Sequence, residues 1–350
     1  MKKNLTPTLI LAAALAAATG VAHAESTVEL YGLIDLGYMY DHDEAKGATA
    51  QSIDSGNVSG SRFGLRGAED LGSGWKAVFQ LENGFNADNG TFAQDGRMFG
   101  RWAYVGLAND QYGELRLGRQ WVLGREWGAA ASPFGIAWSR AAVGTTFGYN
   151  DGDYGSSGIA DNMVMYRSPK IGGFEAAVGY SYAVDQADEE FATRDNDRML
   201  TAGVRYGKGP LRVALTYEHL YVNEQRNTRT RQVHNSTNWQ LGGSYDFEVV
   251  RVYAGLGRVN DANAGPSRNF EKDNAWTAGV KVPVGGAGSI LASWQQSTNS
   301  KIRVAALGYD YELSKRTDLY AFVNHSETRD FALDEDMGRT QVSVGMRHRF

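Results

Sequence analysis

The 350-residue chain carries 35 basic and 40 acidic residues, a formal net charge of −5, which argues against a nucleic-acid partner because such a partner requires a basic face. It contains no cysteine, which excludes a disulfide scaffold, a cysteine-ligated metal and a thiol nucleophile. Its 43 glycines, 6 prolines and 18 tyrosines are typical of a large antiparallel β protein.

The first 24 residues have the pattern of a secretory signal peptide. Two lysines precede the apolar run 9–18, and Ala22-His23-Ala24 forms a small-x-small cleavage site. We predict a signal peptide at 1–24, cleaved near Ala24, and one barrel domain at 25–350. The alternative is a retained N-terminal anchor, although the apolar run is too short to span a bilayer as a helix.

From residue 28 onward, apolar and polar residues alternate in segments of about ten residues, with alternately short and long connections. Successive side chains of a strand point to opposite faces, so such segments suit a wall between lipid and water. The predicted strands are 28–40, 57–68, 75–85, 98–108, 113–119, 161–168, 174–184, 199–207, 211–222, 237–247, 249–259, 274–283, 289–298, 302–313, 317–327 and 340–350. The fold predicted is all-β, a 16-stranded antiparallel transmembrane β-barrel. A barrel of this size has a water-filled lumen, because its side chains do not reach across it.

The last predicted strand alternates as far as the final residue. Val342, Val344 and Met346 share a face with Phe350, while the opposite face is polar and basic. A sheet within lipid cannot leave an unpaired edge, so we expect this strand to pair with 28–40 and close the wall.

Arginines occur at positions where the alternation points them into the lumen. Arg62 and Arg66 alternate with Phe63 and Leu65, and an arginine facing lipid at mid-depth costs about 2–4 kcal/mol. Several arginines in one aqueous space favour anions. The alternative is that they only pair with lumen acids such as Glu82 and Asp35 and stabilise the wall.

The same reasoning applied to the fourth predicted strand places Arg101 toward the lumen and Trp102 and Tyr104 toward lipid. The longest segment without alternation follows, at 120–160. A long connection without strands of its own usually has a function, so this segment is a candidate constriction or plug.

Seven stretches give the chain a resemblance to a known family. They are Val28-Glu29-Leu30-Tyr31-Gly32-Leu33-Ile34-Asp35, Ser61-Arg62-Phe63-Gly64-Leu65-Arg66-Gly67-Ala68-Glu69-Asp70-Leu71-Gly72, Phe99-Gly100-Arg101, Ala103-Tyr104-Val105-Gly106-Leu107, Leu117-Gly118-Arg119-Gln120, Tyr166-Arg167-Ser168-Pro169-Lys170 and Val344-Gly345-Met346-Arg347-His348-Arg349-Phe350. On these residues the chain resembles the Gram-negative general-diffusion porins, most closely the betaproteobacterial type.

The resemblance implies a homotrimer of 16-stranded barrels in the cell outer membrane, each with its third loop folded into the lumen. It implies contact with outer-membrane lipid and lipopolysaccharide, passage of small ions and solutes, and no cofactor. Phe350 is similar to the terminal residue through which the barrel-assembly machinery takes up such proteins. The alternative is that Phe350 is only the last packed residue.

The resemblance also implies a basic constriction wall. Arg62 and Arg101 match two arginines of the family's basic cluster, and Arg66 matches a position that is usually basic. Arg140 is the candidate for a third cluster arginine, with Arg167 as the alternative.

The infolded loop resembles the family's at Gln120 to about Gly135, where Pro133-Phe134-Gly135 lies near the family's Pro-Glu-Phe-Gly turn. The chain departs from the family there, because the acid of that turn is missing and no acid occurs from 127 to 149. Glu126, next to Arg125, is the only acid of the proposed loop. We therefore predict an anion-preferring pore, since the local field at a constriction sets ion selectivity.

Two other classes of function remain alternatives. An outer-membrane enzyme requires a nucleophile and a base at the barrel rim, and His219 with Tyr221 or His325 with Ser326 lacks the flanking motif. An adhesin or receptor barrel would have longer loops and a plugged lumen. The histidines show no metal-ligand spacing, and acidic stretches such as 151–153 and 334–336 are more typical of solvated loops than of a calcium site. We predict neither an enzyme nor a metal site.

Overall fold

A computed structural model of the protein describes residues 26–147, 158–185, 193–222, 235–263, 269–330 and 335–350. The predicted signal peptide at 1–24 lies outside these residues. Across the described ranges, no helix has the length and apolar character needed to cross a membrane.

The described part of the chain is mostly strand. The strands are β1 (Thr27–Asp43), β2 (Ala48–Ser55), β3 (Arg62–Gly72), β4 (Trp75–Gly84), β5 (Trp102–Asn109), β6 (Gly113–Trp121), β7 (Ile159–Arg167), β8 (Phe174–Ser181), β9 (Arg198–Lys208), β10 (Leu211–Tyr221), β11 (Ser236–Asp246), β12 (Arg251–Asn263), β13 (Asn269–Val284), β14 (Gly288–Ser297), β15 (Arg303–Glu312), β16 (Thr317–Asp330) and β17 (Glu335–Arg349). Short helical segments lie at Ala93–Gly96, Leu123–Gly128, Ala129–Ala131, Ser139–Ala141, Gly144–Phe147 and Thr193–Asp195.

Sixteen of these strands, β1 and β3–β17, form a closed antiparallel ring. Residues 27–33 of β1 pair with β3, and residues 33–43 pair with β17. The predicted closure by the last strand is therefore confirmed. The ring satisfies the backbone hydrogen bonds of the wall without leaving an edge in lipid.

The additional strand, β2, pairs with β1 alone and lies outside the ring. The sequence predicts a polar connection at 41–55, but β1 continues to Asp43 and β2 begins at Ala48. The hairpin pairs Ile53 with Tyr38 and residues 48–51 with 40–43 of β1, so its outer part is a strand without a continuous apolar face.

Alternation along β5 corrects one prediction. Val105 and Leu107 are exposed on the outer face, so Trp102 and Tyr104 point inward rather than toward lipid. The prediction assumed that Arg101 already belonged to the strand. Arg101 instead precedes β5 in a bend, so its inward direction says nothing about the parity of β5.

The third long connection follows β6 and lies inside the barrel. Its helix Leu123–Gly128 packs on β9, β10 and β11, and its later turns reach β15 and β16 on the opposite side. We call residues 122–147 the constriction loop. It continues to Phe147 against the wall, well beyond the predicted end near Gly135, because its apolar side chains bury themselves there.

Glycines on five wall strands make room for the constriction loop. We call Gly203, Gly242, Gly255, Gly257, Gly279 and Gly308 the glycine track. A Cβ atom added to any of these glycines would come too close to a residue of the loop. The distance would be 3.0 Å from Gly203 to Trp127, 2.8 Å from Gly255 to Ala131 and 2.9 Å from Gly257 to Phe147. It would be 2.7 Å from Gly279 to Pro133 and 2.9 Å from Gly308 to Phe134. Interiors are close-packed, so the loop lies against the wall only because these side chains are missing.

Candidate pore constriction

Two arginines of the wall share one carboxylate. The Arg101 Nε donates to Glu82 Oε1 at 2.6 Å, and the Arg62 Nε lies 3.9 Å from Glu82 Oε2. Arg62 is at the start of β3, Arg101 just before β5, and Glu82 on the strand between them. Arg101 is buried, whereas the Arg62 side chain keeps about a quarter of its surface open to the lumen.

The shared carboxylate is held by further polar groups. The Tyr31 hydroxyl donates to Glu82 Oε2 at 2.8 Å, and the Gln80 amide donates to the Tyr31 hydroxyl at 2.6 Å. The Arg101 backbone N–H donates to the Glu82 carbonyl at 3.2 Å. These bonds fix the position of Glu82, so the two arginines have a defined place in the wall.

Trp121 brings an arginine of the constriction loop to the same wall. The guanidinium carbon lies over the indole at 5.2 Å for Arg101 and 4.9 Å for Arg125. Trp102 stacks against Trp121 with ring centroids 5.4 Å apart. Burial, and to a smaller extent the charge of Arg101, lowers the pKa of Arg125 to about 10, so Arg125 is a cation at neutral pH.

The acid of the constriction loop is bound to the wall. The Arg167 Nη1 donates to Glu126 Oε1 at 2.9 Å, and Nη2 donates to Glu126 Oε2. Burial acts to raise the pKa of Glu126, but the hydrogen bonds and charge of Arg167 outweigh it, so this pKa lies below its usual value. Glu126 is therefore an ionised group that faces an arginine.

The turn resembling the family's Pro-Glu-Phe-Gly turn attaches the constriction loop through apolar contacts. Phe134 is buried, with its ring 5.5 Å from that of Trp138, and Pro133 lies against Gly279. Gly135 has φ of 57°, a left-handed conformation that favours glycine. This turn faces the wall.

Arg66 and Arg140 lie apart from the Arg62–Arg101 pair. Arg66 is four residues further along β3, a distance of about 13 Å, and forms an ion pair of 2.8 Å with Glu29. Arg140 acts electrostatically on Asp41, which also binds Arg339 at 2.6 Å. The structure thus brings together Arg62, Arg101 and Arg125, while Arg66, Arg140 and Arg167 each face another acid.

Sequence reasoning missed Trp121 as a member of this site. The signal that the sequence offers is its place at the end of β6, directly before the loop that carries Arg125. Nothing in the sequence indicates that Arg101 also lies over this indole, since that contact depends on the bend before β5.

Phe350 lies at the junction of the first and last strands. Its backbone N–H donates to the Gly32 carbonyl at 3.1 Å, and the Gly32 N–H donates to the Phe350 carbonyl at 3.0 Å. Its ring covers Gly32, where a Cβ atom would overlap it. Within the described ranges, no cluster of histidine and acidic side chains suits a metal ion.

Comparisons with known proteins agree with this architecture. A family model described as Gram-negative porin matches residues 11–330. The chain is 40% identical to an outer membrane porin protein of Bordetella pertussis, over 98% of this chain and 99% of that one. Among solved structures, it is similar to the anion-selective porin from Comamonas acidovorans, with 28% identity, a TM-score of 0.76 and coverage of 93% and 100%. The trimer form of OmpT, an outer membrane protein of Vibrio cholerae, shares only the fold, with 15% identity, a TM-score of 0.64 and coverage of 93% and 99%. A closed 16-stranded barrel with an infolded third loop and a family match across most of its length identify the chain as a member of the Gram-negative porins.

Proposed function

We propose that this porin is a channel for passive diffusion of ions and small hydrophilic solutes that prefers anions. The observation that carries the proposal is the sharing of Glu82 by Arg62 and Arg101, which sets two positive charges against one negative charge. Arg125 approaches the same wall through Trp121. The field at the narrowest part of a pore governs which ions enter, whatever the net charge of the chain.

The constriction loop does not oppose this field with an acid of its own. Glu126 is bound by Arg167, and the sequence has no acid from 127 to 149. The similarity to a porin described as anion-selective supports the same selectivity here. A member of this family is a channel protein rather than an enzyme, as the sequence predicts.

Reversal potentials in a KCl gradient across planar bilayers test the proposal. The wild-type pore should show the sign of chloride preference, and Arg62→Gln or Arg101→Gln should move the potential toward zero. Arg303→Gln is the matched control, because Arg303 pairs with Glu327 at 3.3 Å on the outer surface. Its potential should equal that of the wild type. A wild-type preference for potassium would overturn the proposal.

We further propose that the protein forms a homotrimer. The resemblance to the general-diffusion porins, which implies a homotrimer, supports this. Insertion into a bilayer should then give conductance steps in groups of three, and the detergent complex should have the mass of three chains. Single steps with a monomeric mass would contradict it.

The proposed location is the cell outer membrane, in contact with lipid and lipopolysaccharide, after export and assembly by the barrel-assembly machinery. The signal-peptide pattern supports cleavage near Ala24. N-terminal sequencing of protein from purified outer membranes should begin at Glu25. Recovery of the uncleaved chain from the inner membrane would contradict this location.

A further inference from the structure

Between β2 and β3 the chain leaves the sheet. β2 ends at Ser55 opposite Leu36, and β3 begins at Arg62 opposite Leu33. The six residues 56–61 therefore stand opposite only two residues of β1, and the excess cannot remain in register. We call residues 56–61 the inward bulge. The Ser55 and Ser61 hydroxyl oxygens at its two ends are 2.9 Å apart.

The inward bulge packs against the constriction loop. Val58 is 1% exposed and belongs to the same buried apolar cluster as Met39, Phe134 and Trp138. Phe134 and Trp138 come from the constriction loop, and Met39 comes from β1. The bulge is therefore a second segment folded into the lumen, fixed between the wall and the loop.

A single carboxylate holds this bulge. Asp35, on β1, is fully buried, and its Oδ2 accepts hydrogen bonds from the backbone N–H groups of Val58 at 2.9 Å and Ser59 at 2.6 Å. Its Oδ1 accepts from the Tyr320 hydroxyl at 2.6 Å. Buried N–H groups need acceptors, and Asp35 supplies one oxygen for two of them.

The bulge in turn holds Arg62. The Arg62 Nη1 donates to the Gly60 carbonyl at 2.9 Å and to the Ser59 hydroxyl oxygen at 3.2 Å. A Cβ atom on Gly60 would lie 3.3 Å from the Arg101 Nη1, so the bulge also passes close to the second arginine. A continuous set of contacts thus leads from Tyr320 through Asp35 and Ser59 to Arg62.

We infer that Asp35 is a positioning residue for ion selectivity, acting through the inward bulge on Arg62. The inference rests on the proposed function, because it assigns the placement of an arginine that the proposal treats as anion-attracting. It also predicts that the anion preference changes in an unexpected direction when Asp35 is replaced. Removing a negative charge from the lumen normally strengthens anion preference, whereas loss of Asp35 should weaken it because Arg62 is no longer held.

Three variants distinguish an effect of the position of Arg62 from an effect of the charge of Asp35. They are Asp35→Ala, Asp35→Asn and Arg62→Gln. Asp35→Ala should move the reversal potential toward zero, and should add little to Arg62→Gln in the double variant. In Asp35→Asn, the amide oxygen still accepts from the two N–H groups and the amide nitrogen donates to the Tyr320 oxygen. This variant should therefore keep or increase the chloride preference.

The outcomes distinguish two failures. If Asp35→Ala keeps or increases chloride preference while Arg62→Gln reduces it, the inference about Asp35 is wrong and the proposed function stands. If the wild type has no chloride preference, or Arg62→Gln has no effect, the proposed function itself is wrong.

Should Asp35→Ala fail to assemble, Ser59→Ala and Tyr320→Phe test the same contacts with smaller changes. Each removes one hydroxyl and leaves all charges in place. Each should reduce the chloride preference by less than Arg62→Gln does, at an unchanged assembled yield. If both variants have the same reversal potential as the wild type, the inference is wrong.

Discussion

Glu126 and Arg167 join the constriction loop to the barrel wall through two parallel hydrogen bonds, one of them 2.9 Å long between Oε1 and Nη1. Such two-point pairs fix orientation as well as distance. Arg167 comes from β7, and Glu126 comes from the helix at the start of the loop. The pair therefore ties the first turn of the loop to the strand that follows the loop in the chain.

Glu126→Gln should loosen the loop. The variant leaves Arg167 without its charged partner, so the free energy of unfolding should fall by about 1–3 kcal/mol, and open-channel current noise should rise. Glu114→Gln is a matched control, because Glu114 makes the same two-point pair with Arg116, at 2.8 Å for each bond, within the wall. Glu114→Gln should lower the free energy of unfolding by a similar amount, measured by urea unfolding in detergent, but should not increase the current noise. Equal noise in both variants would contradict this role of Glu126.

Gly242→Ala should narrow the pore. The added Cβ would overlap that of Ala131 in the constriction loop, so the loop must move toward the pore axis. We expect a lower single-channel conductance and a cost of about 1–3 kcal/mol in stability. Gly207→Ala is the control, since a Cβ there has no neighbour within 4 Å. A conductance for Gly242→Ala equal to that of the control would show that the loop does not rest on this glycine.

Glu82→Gln should strengthen the anion preference, because it removes the carboxylate that Arg62 and Arg101 share. The reversal potential in a KCl gradient should move further in the chloride direction. Glu29→Gln offers a comparison, since Glu29 pairs with Arg66 in an exposed part of the wall and should have a smaller effect. A weaker chloride preference in Glu82→Gln would mean that Glu82 mainly holds the arginines in place.

Trp121→Leu should disturb both arginines that lie over the indole, Arg101 and Arg125. Each cation–π contact contributes about 0.5–2 kcal/mol, so the variant should unfold at a lower urea concentration and show a reduced chloride preference. Trp121→Phe should keep part of both properties. Trp276→Leu removes an indole from the outer surface and should leave selectivity unchanged. Wild-type selectivity in Trp121→Leu would rule out a role for this ring in the constriction.

Phe350→Ala tests the terminal residue. If Phe350 is the assembly signal, the variant should reach the outer membrane in lower amount in cells, while protein refolded in detergent keeps its conductance. If Phe350 serves only as packing over Gly32, the refolded variant should also lose stability. Heat-modifiable migration on gels measures the folded fraction in both preparations. Normal yield in cells would exclude the signal.

The ring of strands was predictable from sequence because each strand of a membrane barrel shows the alternation of apolar and polar residues by itself, without its neighbours. Val342, Val344 and Met346 alternate with polar residues whatever lies next to them, and closure follows from the cost of an edge in lipid. The hairpin with β2 was not predictable, since beyond the apolar band a strand and a polar loop have the same composition.

The candidate constriction was only partly predictable. Arg62 was placed inward by alternation, and the structure agrees. The error on Trp102 arose at the bend before β5, where strand parity does not apply. The role of Asp35 depends on contacts with Val58, Ser59 and Tyr320, the last of them 285 positions away along the chain, and no local pattern encodes contacts of that range.

The glycine track limits which substitutions can change the width of the lumen. The calibre of the channel depends on side chains that the wall lacks, so a single larger residue at Gly242 meets the rigid Cβ of Ala131. A matched exchange, Gly242→Ala with Ala131→Gly, restores the space. Lumen width thus depends on paired positions of wall and loop, whereas a single substitution at Arg62 or Glu82 changes the charge of the constriction. Pore width and ionic preference involve different side chains, but both depend on where the constriction loop lies, because this loop carries Arg125 and packs on the inward bulge.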